Sequence, residues 1–282
     1  MDIVRRILSM REIARKERES GRKVGFVATM GSLHEWHLSL VRRVKELADI
    51  VVVSVFVNPK QFGAGEDLSE YPRDIKRDAD LCIAEGVDYL FHPEPEEVYP
   101  DGHATIVEVE GLSRKLEGKS RPGHFRGVTT VVTKLLNIVH PHVAAFGQKD
   151  AQQAVIIQRL VKDLMIDVEI LVLPIVRDED ELALSSRNRF LTVEQRRAAG
   201  AIPRALQAAR HVVAEGIRDP EEVMAAAREV IEAEPLLKVD YVELVDPRDL
   251  NPVSAVEGEM LLVLAVYAGE TRLLDNAEIR VS

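Results

Sequence analysis

Two histidines three residues apart, His34 and His37, follow a short apolar run that ends at Thr29-Met30-Gly31. In a helical turn that spacing puts both imidazoles on one face. The run Ser32-Leu33-His34-Glu35-Trp36-His37 reads as the passage from a strand into a helix. Amide N–H groups and the positive end of the helix dipole are available at such a start, and they suit phosphate. Imidazoles beside it would stabilise the charge that builds on a triphosphate during transfer. Two plainer readings stay open for these residues by themselves. They are surface histidines, or they are half of a metal site, for which no third soft or imidazole ligand has matching spacing.

A second segment, Phe146-Gly147-Gln148-Lys149-Asp150-Ala151-Gln152-Gln153, again reads as a strand-to-helix junction. Lys149 would set a point charge on a phosphate. Gly147 would let a ligand come close to the backbone, and Asp150 is a natural helix cap. Gln153, one turn on, would hydrogen-bond a neutral polar substrate. A third segment, Leu184-Ser185-Ser186-Arg187-Asn188, packs two hydroxyls, a guanidinium and an amide into four residues, a dense donor set for phosphate oxygens. Taken singly, the second segment is better read as an ordinary capped helix and the third as a polar turn.

The elements that must position these groups alternate. Residues 24–29, 50–57, 87–91, 143–146 and 168–173 read as buried strands, rich in β-branched residues. Residues 105–109 alternate apolar and polar and read as a further strand at an edge. Between them, residues 38–48, 74–85, 128–139 and 151–162 carry helical spacing, with Gly86 as a C-cap, while 61–71 and 118–127 read as loops. Such alternation implies βαβ units and a mostly parallel, Rossmann-like sheet covered on both faces. After Pro174 the pattern changes. Two Ala-rich helical stretches, 193–215 and 220–233, precede strands at 241–245, 261–266 and 272–274, as in a smaller α+β domain. The expected division is 1–175 and 176–282. The first part is then a nucleotide-binding α/β body and the second a lid.

Composition narrows the chemistry. The 282 residues carry 37 Lys and Arg against 47 Asp and Glu, a net charge of −10. A nucleic-acid binder shows a basic stripe instead, so the anion to be held is a small one. The single cysteine, Cys82, excludes an intrachain disulfide framework and fits a reducing, cytoplasmic setting. The apolar runs are too short for a membrane helix and the N-terminal residues lack a signal-peptide core. Gly118-Lys119-Ser120 looks like the end of a P-loop, but six residues separate Gly111 from Gly118 where that motif has four. Arg121, His124 and Arg126 read as a basic group in a solvated loop, and Asp78 and Asp80 as acids on a helix that offer at most part of a Mg²⁺ site.

The combination is more specific than its parts. A His-x-x-His turn, a Lys-bearing turn and a Ser-Ser-Arg loop resemble the HIGH-type nucleotidyltransferase superfamily. Phe56-Val57-Asn58-Pro59-Lys60-Gln61-Phe62-Gly63, Tyr71-Pro72-Arg73-Asp74 and Arg121-Pro122-Gly123-His124-Phe125-Arg126-Gly127-Val128 stand between them at matching spacing. The whole set resembles the pantothenate synthetase (pantoate–β-alanine ligase) family, essentially end to end. That resemblance implies a Rossmann-like body with a C-terminal lid, a homodimer, and ATP with Mg²⁺, pantoate and β-alanine as the small-molecule ligands. It implies a pantoyl adenylate formed with release of pyrophosphate, then attacked by β-alanine to give pantothenate and AMP. It places ATP on Met30, Gly31, Ser32, Leu33, His34, Glu35, Trp36, His37, Gly147, Gln148, Lys149, Asp150, Val176, Leu184, Ser185, Ser186 and Arg187. Pantoate and β-alanine fall to Gln61 and Gln153. His34, His37 (as proton donor), Lys149, Ser185, Ser186 and Arg187 are cast as the catalytic set.

The chain departs from the family pattern at named positions. Ala28 and Trp36 stand where the family usually has Pro and Gly, the latter in His-Glu-Gly-His, and Glu181 and Leu184 stand for Gly and Met. The indole of Trp36 is expected to reshape the nucleotide site and weaken ATP binding. Glu181 is expected to be strained if its backbone needs a positive φ. Two other functions are kept in view: another HIGH-type nucleotidyltransferase, and a homologue whose ATP binding is impaired by Trp36.

Overall fold

The computed structural model describes residues 1–63, 68–69 and 71–281, so the part of the 61–71 loop at 64–67 and 70 lies outside the described residues. Residue contacts divide the chain into two compact units: Met1–Gly147 with Ile156–Leu173, and Gln148–Val155 with Pro174–Ser282.

The first unit is a parallel α/β layer structure. Its elements in order are β1 (Asp2–Val4), α1 (Ile7–Glu19), β2 (Val24–Thr29), α2 (Glu35–Lys45), β3 (Ile50–Val55), α3 (Ile75–Ala84) and β4 (Tyr89–Phe91). The single turns α4 (Pro95–Val98) and α5 (Glu117–Ser120) follow, then α6 (His124–Val139), β5 (Val143–Gly147), the part of α7 (Ala151–Asp163) from Ile156 on, and β6 (Glu169–Leu173). The six strands pair in the order β1-β4-β3-β2-β5-β6, all parallel. β2 runs in register with β3 from Val24↔Ile50 to Thr29↔Val55. Every residue of β3 is buried, as expected of a strand covered on both faces. Gly25 lets α2 lie close on the sheet: a methyl group there would meet Val44 and stand 2.9 Å from the Ala48 Cβ. That contact fixes the helix whose first turn carries His37.

The mostly parallel α/β sheet is borne out, but three details differ. Residues 105–109 form no strand. The Val107 amide donates to Thr130 Oγ1 at 3.0 Å, and its carbonyl accepts from Thr129 Oγ1 at 2.5 Å. The Val107 N–H and C=O, which a strand would offer a neighbour, are thus satisfied by α6 hydroxyls. Residues 118–127 are not a continuous loop, since α5 and the first turn of α6 fall within them. The N-terminus adds β1 and α1.

The second unit holds α8 (Val193–Ala199), α9 (Ala201–Ala214), α10 (Pro220–Glu232), β7 (Leu237–Val245), β8 (Gly258–Ala268) and β9 (Thr271–Val281). The three strands form an antiparallel sheet, β7-β8-β9, with β8 and β9 joined at Gly269, whose φ is +62°. Ile202, Leu206, Val223 and Ile231 from the helices pack with Leu262, Leu264 and Val266 into one apolar cluster. The helix read over 193–215 is split at Gly200. Pro203 has no N–H for the carbonyl of Ala199, so one continuous helix would lack that bond.

Candidate functional site

In the first unit the chemistry gathers at the carboxyl ends of β2, β3 and β5. The chain reverses between Met30 and His34, and a buried carboxylate holds the reversal. Asp78, on α3 and 1% exposed, accepts from the Ser32 amide through Oδ2 at 2.9 Å and the Leu33 amide through Oδ1 at 2.8 Å. The Gly31 amide donates to Thr29 Oγ1 at 3.1 Å, and that hydroxyl donates to the Ser54 carbonyl at 2.7 Å. Gly31 has φ +87° and Ser32 φ +53°, so the turn runs through the left-handed region twice. A methyl group on Gly31 would stand 2.9 Å from Asp78 Oδ2, which is why this turn needs a glycine. Burial pushes the Asp78 carboxyl above its ordinary value, against the two amides that favour its charge.

This alters the reading of the segment in one respect. The amides of Gly31, Ser32 and Leu33 are already engaged with protein acceptors, so an anion would find its backbone donors later, at Glu35 and Trp36. The same bonds make Asp78 a structural brace of the turn. Among the described residues, no group of three or more His, Cys, Asp or Glu is placed to hold a metal ion.

His34 caps α2 with an extended backbone, φ −146°, and His37 lies in the first turn. Their rings meet edge to face with centroids 4.4 Å apart. The shared face read from the spacing is therefore real. Glu35 turns its carboxylate to Arg42, which lowers its pKa and leaves the backbone as its route to a ligand. Trp36 packs beside both histidines: its ring centroid is 4.6 Å from that of His37 and 6.0 Å from that of His34. The indole also covers Gly147, the last residue of β5, where a methyl group would stand 2.5 Å from Nε1.

Gln61 ends the single 3₁₀ turn Pro59–Gln61 after β3, 9% exposed. Its Oε1 accepts from Asn58 Nδ2 at 2.9 Å, and its Nε2 faces Met30 Sδ at 2.9 Å. Asn58 is held in turn by the Gly127 carbonyl, which accepts from Nδ2 at 3.1 Å, and by Tyr99 Oη, which donates to Oδ1 at 2.8 Å. The Gln61 carbonyl accepts from His124 Nδ1 at 2.8 Å, and Arg121 Nη1 lies 3.1 Å from His124 Nε2. His124 and Arg121, read from sequence as a solvated basic loop, thus fasten the Gln61 backbone. Arg126 pairs with Glu108 at 3.4 Å. Asn58 and Tyr99 were given no role by sequence. The Asn-Pro step was the available signal for the first, and the second left none.

The second unit holds Gln148, Lys149, Asp150, Gln153, Val176, Leu184, Ser185, Ser186 and Arg187. Two adjacent residues of β9 order much of this set. Asn276 Nδ2 donates to the carbonyls of Gln148 at 2.8 Å and Lys149 at 3.1 Å, fixing the turn that carries Lys149. Asp275, whose side chain is fully buried, receives Arg177 Nη1 at 2.7 Å and Nη2 at 3.0 Å. Arg177 also donates to the Glu181 carbonyl at 2.9 Å. The Leu184 amide donates to the Val176 carbonyl at 3.0 Å, so 176–184 closes as a loop whose end presents Ser185. Ser185 caps the 3₁₀ turn Ser186–Phe190, accepting from the Arg187 amide at 3.3 Å. Lys149 Nζ stands 3.4 Å from Asp150 Oδ1. Glu181 has φ +64°, the strained conformation foreseen at that position. Gln153 sits half-buried in the first turn of α7. Asp275 and Asn276 are the residues that sequence reading missed here, since a lone Asp-Asn pair in a strand carries no motif.

A parallel sheet with a histidine pair beyond the carboxyl ends of its strands makes this an open α/β protein, the class in which ligands sit beyond those strand ends. Comparison narrows this. The family model for pantoate-beta-alanine ligase matches residues 2–278. Similar proteins include the pantothenate synthetases of Heliobacterium modesticaldum, 52% identical over the full length of both chains, and of Pelotomaculum thermopropionicum, 53% identical over 96% of each. Among solved structures, pantothenate synthetase from Thermus thermophilus superposes with a TM-score of 0.94 at 45% identity, covering both chains fully. The pantoate-beta-alanine ligase of Francisella tularensis complexed with beta-gamma ATP and beta-alanine superposes at 0.80 and 35% identity, covering 98% of this chain and 97% of the other. The chain belongs to the pantoate–β-alanine ligase family.

Proposed function

We propose that the chain is a pantothenate synthetase, joining (R)-pantoate to β-alanine at the expense of ATP. The observation that carries this is the family match over residues 2–278. In the first step a carboxylate oxygen of pantoate bonds to the α-phosphorus as the bond to pyrophosphate breaks. In the second the β-alanine amine bonds to the acyl carbon, and AMP leaves with the oxygen that bridged the two. The nitrogen gives up its proton in the same step.

The residues have matching tasks. His34 and His37 meet the phosphates, with His37 as proton donor to the leaving group. Lys149, Ser185, Ser186 and Arg187 spread the charge that develops on the α-phosphate and pyrophosphate, an electrostatic role for donors held in place before reaction. Met30, Gly31, Ser32, Leu33, Glu35, Trp36, Gly147, Gln148, Asp150, Val176 and Leu184 line the nucleotide, Glu35 through its backbone. Gln61 and Gln153 hold pantoate and β-alanine, and the Asn58 contact supports a fixed orientation of the Gln61 amide. Mg²⁺ enters as the ATP complex. Residues 1–175 bind ATP and pantoate. Residues 176–282 act as a lid that keeps water from the acyl adenylate. The working form is a cytoplasmic homodimer, which sedimentation would record as twice the 31.5 kDa chain mass.

Exchange of labelled pyrophosphate into ATP tests the assignment. The expected result is exchange that requires pantoate. Exchange supported instead by a nucleoside monophosphate would overturn it in favour of another nucleotidyltransferase activity.

A further inference from the structure

At the switch point of the parallel sheet, a side chain of the protein itself lies over the end of one of the two central strands. β2 and β5 are neighbours, and beyond them the strand order runs outward in opposite directions, through β3 on one side and β6 on the other. The gap beyond the carboxyl ends of two such strands is where open α/β sheets receive ligands. Thr29 ends β2 and Gly147 ends β5. Trp36 lays its indole on Gly147, with Nε1 2.5 Å and Cε2 2.6 Å from where a methyl group would stand, and Cζ2 closer still. The bare backbone that a glycine offers to a ligand is therefore covered by an indole.

The indole is held by packing alone, against the His34 and His37 rings and an apolar cluster, with no hydrogen bond to its N–H among the described residues. Trp36 is half-buried and packs on the cluster that includes Leu33, Leu40, Val55 and Ala145, with Leu173 beside it. Its Nε1 is sealed from solvent and meets no acceptor among the described residues. A sealed N–H without an acceptor forfeits the hydrogen bond it had in water, which weakens the closed position relative to an open one. The side chain is also in the first turn of α2, where a change of χ1 can carry it away without disturbing the helix.

We propose that Trp36 governs access of the nucleotide: in the ligand-free chain its indole occupies the place beside Gly147, and ATP reaches the ends of β2 and β5 only after the indole has swung aside. This rests on the reading, given under Proposed function, that ATP binds at these strand ends. The apparent affinity for ATP is then the intrinsic affinity reduced by the fraction of molecules with the indole out. Removing the indole removes that reduction.

Trp36 is the single tryptophan of the chain, so its emission reports on the side chain directly. ATP is titrated into wild type, W36A and W36G, with binding followed by calorimetry and, in wild type, by fluorescence. The expected result is a change in wild-type emission that saturates with the calorimetric midpoint, and binding about tenfold tighter or more in both variants. Equal or weaker binding by both variants, or unchanged emission at saturating ATP, overturns the proposal. If a variant fails to fold, the wild-type emission decides the matter. Absence of ATP binding by all three proteins would instead overturn the reading of the site, and the gate with it.

Discussion

Lys149 carries the charge that the proposed chemistry asks most of, because no other lysine lies in the assigned site. Lys149→Met keeps the length of the side chain and removes the charge. Pantoate-dependent pyrophosphate exchange should fall by about 10²–10³ while far-ultraviolet circular dichroism is unchanged; a loss below threefold would remove Lys149 from the catalytic set. Asp78 gives a prediction in pH. Burial raises its folded pKa above the ordinary value of 3.8, so its contribution to stability is fully present below that value and is lost as pH rises through the folded value. The stability advantage of wild type over D78N, measured by urea unfolding, should therefore shrink as pH rises from about 4 to about 7. An advantage that grows over that range would contradict the assignment of burial as the dominant cause. At Glu181, with φ +64°, replacement by glycine should stabilise the second unit by about 1 kcal/mol in the same assay. No gain would mean that the loop holds this conformation without strain.

At the level of elements, β9 carries much of the order in the second unit. Asp275 and Asn276 are successive residues of one strand, yet one braces the 176–184 loop through Arg177 and the other the turn at 148–150. Arg177→Met would leave the Asp275 carboxylate buried without its cation, and unfolding should be easier by about 3 kcal/mol. A change under about 1 kcal/mol would show that the pair does not hold the loop. The elements also show what a sequence makes legible. Strands β2, β3 and β5 were readable because burial on both faces demands unbroken apolar runs. α1 was not, because its buried stripe is Met10, Ala14 and Glu17, and a buried acid breaks the apolar period. Glu17 is tolerated there because Tyr89 Oη donates to it at 2.9 Å and Arg22 pairs with it, and neither partner belongs to the helix. Residues 105–109 had a strand's alternation but found α6 threonines as partners, a tertiary outcome that local alternation does not encode.

For the whole molecule, the histidine pair, the Lys149 turn and the serine-arginine loop were legible because each is a short run of unusual chemistry. The supports of the first two were not, since Asp78 and Asn276 reach them from 45 to 128 residues away. Family membership over residues 2–278 joins the scales, because it concerns both units. The central claim is that one chain adenylates a carboxylate and then transfers the acyl group to an amine. Pantoate labelled with ¹⁸O in its carboxylate, turned over with ATP and β-alanine, tests it most directly by mass spectrometry of the products. The account predicts one labelled oxygen in AMP and none in pyrophosphate. Label in inorganic phosphate, with ADP in place of AMP, would contradict it.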